Sequence, residues 1–239
     1  MPAQFKHQGS EKKKYVKQMF NDISSQYDTF NLLSSFGIDR YWRYNLIKKL
    51  KLSSNNALLD IATGTGDVAF SAYKKYNVEV TGLDIADNMI ALAQKKSYKY
   101  NTNKINFLVG DAENLPFSNN SFDAITISFG FRNLGTYDVA LSEFYRVLKP
   151  GGRLAILEFS QSNSKWFSPI FKFYFNKVVP KIGAFLSRKD AFLYLPESVD
   201  YFLKRDDLVK LMKQSEFSDV SFYDYTFGVA TIYMGYKIV

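Results

Sequence analysis

The chain of 239 residues contains no cysteine, and its single histidine is His7. The absence of cysteine excludes disulfides, thiolate nucleophiles and cysteine-containing zinc sites, and it is typical of a reducing cytoplasm. With one imidazole, the chain can build neither a histidine-dependent triad nor a multi-histidine metal site. We therefore expect no metal, and catalysis has to use carboxylates, arginine, lysine, tyrosine or backbone groups.

Long apolar runs are also missing. No segment approaches the ~18 uninterrupted apolar residues of a membrane span, and the polar, lysine-rich N-terminus lacks the apolar core of a signal peptide. We therefore expect a soluble, cytoplasmic protein. The net charge of +8 is compatible with nucleic acid, an anionic membrane surface or an anionic cofactor. The joint abundance of Lys, Asn, Ile, Phe and Tyr favours a plainer interpretation, which is an A/T-rich coding sequence.

Short apolar runs alternate with helical stretches through the middle of the chain. With 46% hydrophobic residues, the chain can bury one sizeable core. The predicted strands cover residues 57–62, 78–83, 105–109, 122–129 and 153–159. The predicted helices cover residues 67–76, 89–100 and 137–148. This alternation predicts a Rossmann-like α/β fold, in which a doubly wound parallel sheet carries helices on both faces.

The flanking segments complete a single predicted domain, 1–239. Near the N-terminus, apolar residues recur at steps of four and three, which predicts helical structure: Val16, Phe20, Ile23, Tyr27 and Phe30. We assign residues 1–50 to a helical lid and 51–162 to a cofactor-binding core. Residues 163–205 form an aromatic-rich insertion, and 206–239 form a closing unit of one helix and two strands.

A glycine-rich turn follows the first predicted strand in the sequence DIATGTGD, residues 60–67. Gly64 and Gly66 allow the backbone to turn tightly and to approach a ligand with no Cβ in the way. Asp84 ends the second strand eighteen residues after Gly66, where a carboxylate can accept hydrogen bonds from both hydroxyls of a ribose. The two features together predict a nucleoside cofactor.

The glycines alone do not choose between cofactors, because residues 64–69 also match the relaxed dinucleotide pattern G-x-G-x-x-A. The surrounding acids separate the alternatives: Asp60 precedes the glycines, Asp67 starts the next helix and Asp111 follows the third strand. Carboxylates near the anion site would repel a diphosphate, whereas a methionine ammonium and a sulfonium would be attracted. The charge pattern therefore favours S-adenosylmethionine over a nicotinamide dinucleotide.

Three segments carry a family resemblance: YDTFNLLSSFGIDRYW at 27–42, ISFGFRN at 127–133 and RVLKPGG at 146–152. With them, nearly the whole chain resembles the quinone-biosynthesis C-methyltransferases. The resemblance implies a class I methyltransferase fold, with a seven-stranded, mostly parallel sheet and an antiparallel last strand. It also implies S-adenosylmethionine-dependent methylation of demethylmenaquinol to menaquinol, the last step of menaquinone biosynthesis. The alternative acceptor is the ubiquinone-precursor benzoquinol.

The resemblance and the glycine turn give a set of cofactor residues. Position by position, the family's cofactor contacts fall on Thr65, Asp84, Asp111, Ala112 and Ser128, and the turn adds Asp60, Gly64 and Gly66. One position departs from the family pattern, because Asp39 stands where the family usually has histidine. We interpret this position as structural or substrate-orienting rather than as an indispensable base.

Four residues are the predicted catalytic set. Arg132 and Asn133 follow the fourth strand at its carboxyl end, the edge where doubly wound sheets bind ligands. We expect Arg132 to stabilise the phenolate of the quinol, although an arginine there could instead pair with a carboxylate. Tyr27 and Asp28 belong to the lid; Tyr27 is either a donor or part of the core, and Asp28 is a candidate for steering the leaving proton through water.

The aromatic insertion suggests how a lipid substrate is held. Phe167, Phe171, Tyr174 and Phe175, with Lys165, Lys172 and Lys177, could form an apolar channel for a prenyl tail or rest on an anionic bilayer at the inner face of the membrane. Ordinary core packing is the alternative. The expected partner is a prenylated quinol, with no nucleic acid, and a homodimer is one expectation for the oligomeric state.

Two functions from other classes remain as alternatives. The basic charge suggests an RNA methyltransferase, but the chain lacks the Asn-Pro-Pro-Tyr motif of the amino-methylating enzymes after the fourth strand, and it lacks the cysteine nucleophile of the 5-methylcytosine enzymes. A non-catalytic quinone-binding protein is suggested by Asp39 alone.

Overall fold

A seven-stranded sheet forms the centre of the molecule. The computed structural model describes residues 9–160, 164, 166–186 and 189–238. The strand order is β3-β2-β1-β4-β5-β7-β6, and in this sheet β7 runs antiparallel to the other six strands. The strands are β1 Ala57–Ile61, β2 Glu79–Asp84, β3 Ile105–Val109, β4 Phe122–Ser128, β5 Leu148–Phe159, β6 Ser218–Tyr225 and β7 Ala230–Tyr236. The predicted fold, including the antiparallel last strand, is confirmed.

Helices cover both faces of this sheet, as the alternating pattern predicts. The helices of the core and the closing unit are α4 Asp67–Tyr76, α5 Asp87–Ser97, α6 Tyr137–Val147 and α10 Arg205–Gln214. One apolar cluster joins α4 and α5 to one face of the sheet, and a second joins α6 and α10 to the other. The central strands β1 and β4 are buried on both faces, which explains their nearly continuous apolar sequence.

The order of the strands reverses between β1 and β4. These neighbours are parallel, with Ile61 beside Ile127, so their carboxyl ends open at the same edge of the sheet. In doubly wound sheets a crevice forms at this switch point, since the connections from the two strands leave toward opposite faces. The fold therefore brings the glycine turn after β1 next to the Phe129–Asn133 segment after β4.

The N-terminal lid is built from three helices: α1 Gly9–Ile23, α2 Tyr27–Ser35 and α3 Ile38–Leu50. The predicted stripe of apolar residues crosses the break between α1 and α2 and nevertheless stays on the packed side. Ile23 and Phe30 are buried, and Phe20 and Tyr27 pack against the same cluster. A left-handed pair, Phe36 and Gly37, reverses the chain between α2 and α3.

The aromatic insertion is helical. It contains α7 Phe167–Phe173, a π-helical turn at Tyr174–Val178, α8 Val179–Leu186 and α9 Lys189–Asp200. Lys165 lies outside the described residues. Within the described ranges, no helix combines the length and the apolar character that crossing a bilayer requires. Phe175 and Val179 are buried against Ile23 and Phe30, so the insertion packs directly on the lid.

Candidate active site

The turn after β1 is held in a conformation that requires glycine. Ala62, Gly64 and Gly66 all have positive φ, at 50°, 56° and 91°. A Cβ on Gly66 would lie 2.7 Å from the ring of Phe70 and 2.9 Å from that of Phe107, closer than real Cβ contacts. The sequence prediction that only glycine fits this turn is therefore explained by both backbone and packing.

A cavity of about 680 Å³ lies beside this turn, and we name it the turn cavity. Its walls come mainly from the segments that follow the parallel strands, together with helix α1 and Tyr27. Of the predicted cofactor residues, the walls include Gly64, Asp84, Asp111, Ala112 and Ser128. Asn133 and Tyr27, which the sequence suggested as catalytic, also line it.

Asp84 is placed to bind polar groups of a ligand. Its carboxylate accepts hydrogen bonds from the backbone N–H groups of Gly64 (2.8 Å) and Ala86 (2.9 Å). A carboxylate offers about four acceptor sites, so these two bonds leave capacity for two hydroxyl donors. Burial raises the pKa of Asp84, and the backbone hydrogen bonds oppose that shift.

Asp60 has a different position from the one that the sequence suggested. It is buried beneath the turn and does not line the cavity; its oxygens accept hydrogen bonds from Thr63 Oγ1 (2.6 Å) and Thr126 Oγ1 (2.7 Å). Burial raises its pKa to about 6, against the effect of the two hydroxyl donors. Asp60 therefore fastens the turn to β4 rather than facing a ligand.

Thr65 and Gly66 are also outside the walls of the turn cavity. Thr65 Oγ1 donates to Asp28 Oδ1 at 2.6 Å, and Lys96 Nζ forms an ion pair with Asp28 Oδ2 at 2.6 Å. Asp28 lines neither this cavity nor the second one described below. Its observed contacts tie the lid to the glycine turn, which corrects the expectation that its carboxylate faces the reacting ring.

Asp67 is also not in the position that its predicted effect on the cofactor requires. Asp67 does not line the turn cavity; its carboxylate pairs with Arg43 of helix α3 at 2.9 Å and lies in a surface groove. Arg43 also pairs with Asp39 at 2.9 Å, so this lid cation is shared between two carboxylates and offsets only part of the charge of Asp67. Its negative charge therefore does not act alone on a ligand in the cavity.

Helix α1 covers the turn cavity through two lysines. Lys13 Nζ forms ion pairs with Asp111 (2.7 Å) and Glu113 (2.9 Å). Lys12 Nζ donates to the backbone oxygen of Arg132 at 2.8 Å, and burial together with the charge of Arg132 lowers its pKa to about 8. Neither contact has a local signature in the sequence, because both join segments about one hundred residues apart.

A second cavity, of about 870 Å³, adjoins the turn cavity, and we name it the aromatic cavity. Phe20, Tyr27 and Phe129 line both cavities and separate them. The remaining wall is mostly apolar. Apart from Phe159 at the end of β5, its apolar residues come from the lid and the insertion: Met19, Ile23, Phe30, Trp42, Phe171, Tyr174, Phe175, Val179 and Leu195.

The insertion residues divide into two groups. Phe171, Tyr174 and Phe175 face the aromatic cavity, whereas Phe167 packs on Phe227 with ring centroids 4.8 Å apart. Lys172 and Lys177 are exposed. The cavity wall includes the π-helical turn, a local distortion that is frequent at functional sites.

Arg132 lines the aromatic cavity and is firmly paired. Its Nη1 binds both oxygens of Glu158 (3.0 and 2.9 Å) and the backbone oxygen of Phe129 (2.6 Å), and its Nε donates to Ser198 Oγ at 3.1 Å. Both partners of the Arg132–Glu158 pair are buried. The pairing alternative considered for this arginine is therefore observed, and Nη2 takes no part in these contacts.

Several polar groups of the lid also lie in the wall of the aromatic cavity, among them Asp39, Arg43 and Asn31. Asp39 is buried and accepts hydrogen bonds from Ser35 Oγ (2.6 Å) and Arg43 Nη1 (2.9 Å). Asn31 Nδ2 is buried and has no hydrogen-bond partner within the described part of the chain. Asn31 and Glu158 were both missed from the sequence, although a carboxylate inside the apolar run of β5 was a signal that could have identified Glu158.

Comparisons with known proteins identify the family and the fold of the chain. The sequence profile described as the ubiE/COQ5 methyltransferase family matches residues 7–237. A ubiquinone/menaquinone biosynthesis C-methyltransferase UbiE of Geotalea daltonii is 43% identical over 231 residues, covering 95% of this chain and 98% of its own. An S-adenosylmethionine-dependent methyltransferase of Thermotoga maritima, described as a possible histamine N-methyltransferase, superposes with a TM-score of 0.65 at 20% identity, covering 92% of this chain and 99% of its own.

A third similarity concerns a structure with cofactor bound. Phosphoethanolamine N-methyltransferase 2 of Haemonchus contortus, in complex with S-adenosyl-L-methionine, has a TM-score of 0.63 at 17% identity over 82% of this chain and 52% of its own. At this identity the likeness concerns the fold, which is shared by enzymes with different acceptors.

Proposed function

The chain belongs to the ubiE/COQ5 methyltransferase family, and from that premise we propose that it methylates a ring carbon of reduced demethylmenaquinol to give menaquinol. The coarser activity, S-adenosylmethionine-dependent C-methylation in ubiquinone or menaquinone biosynthesis, follows from family membership. The observation that supports the acceptor is the apolar aromatic cavity directly beside the turn cavity. A prenylated ring needs such a wall, since its tail has no polar groups to satisfy.

The turn cavity fits S-adenosylmethionine. Ser128 Oγ is buried there without a hydrogen-bond partner among the described residues, so it offers a donor or acceptor to a polar ligand. Asp84 retains acceptor sites for a ribose diol, and Asp111 adds a carboxylate at the same wall. When bound, the cofactor supplies an electrophilic methyl group.

The residues of the chain have to make the acceptor carbon nucleophilic. A quinol becomes electron-rich at the ring when one hydroxyl gives up its proton, whereas the oxidised quinone has no such electron pair. Arg132 lines the aromatic cavity, as does Arg43, and its guanidinium can stabilise the resulting phenolate and lower the pKa of that hydroxyl. The Glu158 carboxylate offsets part of the charge of Arg132 and fixes the orientation of its guanidinium. The phenolate would therefore be stabilised by a donor that is already in position.

Tyr27 and Asn133 stand where the two cavities meet. Tyr27 lines both, and Asn133 lines the turn cavity next to Arg132. Burial raises the pKa of the Tyr27 hydroxyl, against the charge of Arg43, so this group remains protonated and donates at neutral pH. Both residues can therefore orient the acceptor ring toward the methyl donor, which is the alignment that an in-line displacement needs.

The surface near the aromatic cavity suits contact with an anionic bilayer. Trp166, Ile170 and Phe173 of the insertion are exposed, as are Phe36 of the lid and Lys172. Phe36 lies 6.0 Å, between ring centroids, from the cavity residue Tyr174. We expect more protein to co-sediment with phosphatidylglycerol vesicles than with phosphatidylcholine vesicles. Equal recovery in the supernatant with both lipids would contradict this part of the proposal.

The acceptor is tested by incubating purified protein with methyl-labelled S-adenosylmethionine and a short-tail demethylmenaquinol. We expect label in the quinol ring when the substrate is kept reduced and none when it is oxidised. Preferred labelling of the ubiquinone-precursor benzoquinol would replace the proposed acceptor by the alternative one. Label in RNA alone, or cofactor binding with no labelled acceptor, would overturn the proposal.

A further inference from the structure

Helix α9 of the insertion makes two side-chain hydrogen bonds to the Arg132–Asn133 pair. Tyr194 Oη donates to Asn133 Oδ1 at 2.9 Å, and Ser198 Oγ accepts from Arg132 Nε at 3.1 Å. Tyr194 and Ser198 are four residues apart, so they lie on the same face of the helix. No sequence motif pointed to either residue, because the insertion and the loop after β4 are about sixty residues apart in the chain.

Tyr194 lies where several parts of the site meet. It is buried, it lines the aromatic cavity, and it packs with Val16 and Met19 of helix α1. Burial raises the pKa of its hydroxyl far above neutrality, so the group is a permanent hydrogen-bond donor. Tyr194 therefore lines the aromatic cavity, while its hydroxyl binds Asn133, which lines the turn cavity.

The bond to Tyr194 determines which way the amide of Asn133 points. An asparagine amide has an acceptor oxygen and a donor nitrogen, and the hydroxyl of Tyr194 donates to the oxygen. Asn133 is itself buried, and its nitrogen lies 3.5 Å from the backbone oxygen of Phe129, a weak contact that would not fix the amide alone. Removing the hydroxyl of Tyr194 would thus leave the amide free to turn over within its site.

We propose that Tyr194 is a positioning residue, which sets the orientation of the Asn133 amide and thereby links the insertion that holds the acceptor to the methyl-transfer site. The proposal rests on the proposed function, since it assumes that the aromatic cavity receives the quinol. Tyr194 acts through Asn133 and need not touch the reacting carbon. Ser198 supports the neighbouring Arg132 in the same way.

The kinetic test is a double-mutant cycle with Tyr194→Phe and Asn133→Ala. Phenylalanine keeps the buried ring, so only the hydrogen bond is lost. We expect Tyr194→Phe to lower kcat about 10-fold, with quinol KM changed less than about 2-fold, and to have no further effect in the Asn133→Ala background. Tyr98→Phe, which removes the hydroxyl of an exposed tyrosine that lines neither cavity, is the control. Equal effects of Tyr194→Phe in both backgrounds would overturn the proposal.

A second readout needs no substrate. In protein labelled with ¹⁵N-asparagine, the side-chain amide signals of Asn133 are identified by their loss in Asn133→Ala. We expect Tyr194→Phe to shift or broaden these signals and Tyr98→Phe to leave them in place. Unmoved signals in Tyr194→Phe would contradict the positioning role. If the wild type fails to methylate the quinol, the proposed function fails, and the amide signals still decide whether Tyr194 orients Asn133.

Discussion

The turn cavity and the aromatic cavity share three side chains but are built from different parts of the fold. The turn cavity is lined mainly by segments that follow β1, β2, β3 and β4, so its shape depends on the central sheet. The aromatic cavity is lined mainly by helices of the lid and the insertion, with Phe129, Arg132 and Phe159 contributed by the sheet edge. The proposed function therefore assigns cofactor binding to the central sheet and acceptor binding mainly to the lid and the insertion.

Arg132 belongs to both parts of the fold, because it lines the aromatic cavity and is paired with Glu158 of the sheet. Arg132→Ala leaves a buried carboxylate without its cation, which should lower the free energy of unfolding by about 3–5 kcal/mol. Turnover should fall strongly, while S-adenosylmethionine affinity stays nearly unchanged. Urea unfolding, methyl-transfer rates and calorimetric titration measure the three quantities.

A double variant separates stability from catalysis at this site. Arg132→Met with Glu158→Gln removes both charges and keeps similar volume, so it should recover much of the unfolding free energy but not the turnover. Wild-type turnover in the double variant would refute the assigned role of Arg132.

Asp60 of strand β1 should make the free energy of unfolding depend on pH. Its pKa is about 6 in the folded protein against 3.8 without the fold, so the folded state binds more protons between these values. The free energy of unfolding of the cofactor-free protein should therefore fall as pH rises through this window, by roughly 3 kcal/mol at most. Asp84, whose pKa is also raised, contributes in the same direction.

Asp60→Asn isolates the contribution of that one carboxyl, because Asp84 remains in the variant. The loss of unfolding free energy between pH 4 and pH 7 should be smaller in the variant than in the wild type, as measured by urea unfolding at each pH. Parallel profiles for the two proteins would show that Asp60 titrates normally.

Asp84→Asn tests the turn cavity alone. The charge-assisted hydrogen bonds to a ribose diol are lost, so S-adenosylmethionine Kd should rise about 10- to 100-fold, which corresponds to roughly 1.5–3 kcal/mol. The quinol KM at saturating cofactor should change little. Asp87→Asn is the matched control, because Asp87 is exposed and pairs with Lys17 outside both cavities. A larger change in quinol KM than in cofactor Kd would break the proposed division of labour.

Phe171→Ala tests the aromatic cavity alone and carries the smallest expected effect. Loss of one ring from the wall should raise KM about 10-fold, or roughly 1.4 kcal/mol, for a prenylated quinol and leave KM unchanged for a quinol without a tail. Phe173→Ala removes an exposed ring from the same helix and is the control. An equal rise in KM for both quinols would place the ring of the substrate, rather than its tail, against Phe171.

The difference between the sheet-built turn cavity and the helix-built aromatic cavity also explains what could be predicted from the sequence. The five parallel strands, the glycine turn and Asp84 follow from patterns within about thirty residues, because the contacts that create them are local or run between adjacent strands. The family resemblance added Asp111, Ala112 and Ser128, which do line the turn cavity.

Predictions were weaker where a side chain's partner comes from a distant segment. Asp60 and Asp67 were expected to act on the cofactor by charge, but buried hydroxyls and Arg43 engage them instead. Asp28 was a candidate for steering the leaving proton, but its carboxylate binds Thr65 and Lys96 and so joins the lid to the glycine turn and to α5. Neither the Glu158 partner of Arg132 nor the Tyr194 partner of Asn133 has a local signature, since packing of whole segments brings them together.

The wall of Phe20, Tyr27 and Phe129 between the two cavities has a consequence for timing. The reactants meet only where these side chains leave room, and local side-chain and loop motions take up to microseconds. An enzyme turning over at about 10 per second allows many thousands of such motions in each cycle. On the proposed function, motions of these three aromatic rings are therefore fast enough to open the wall many times in each catalytic cycle.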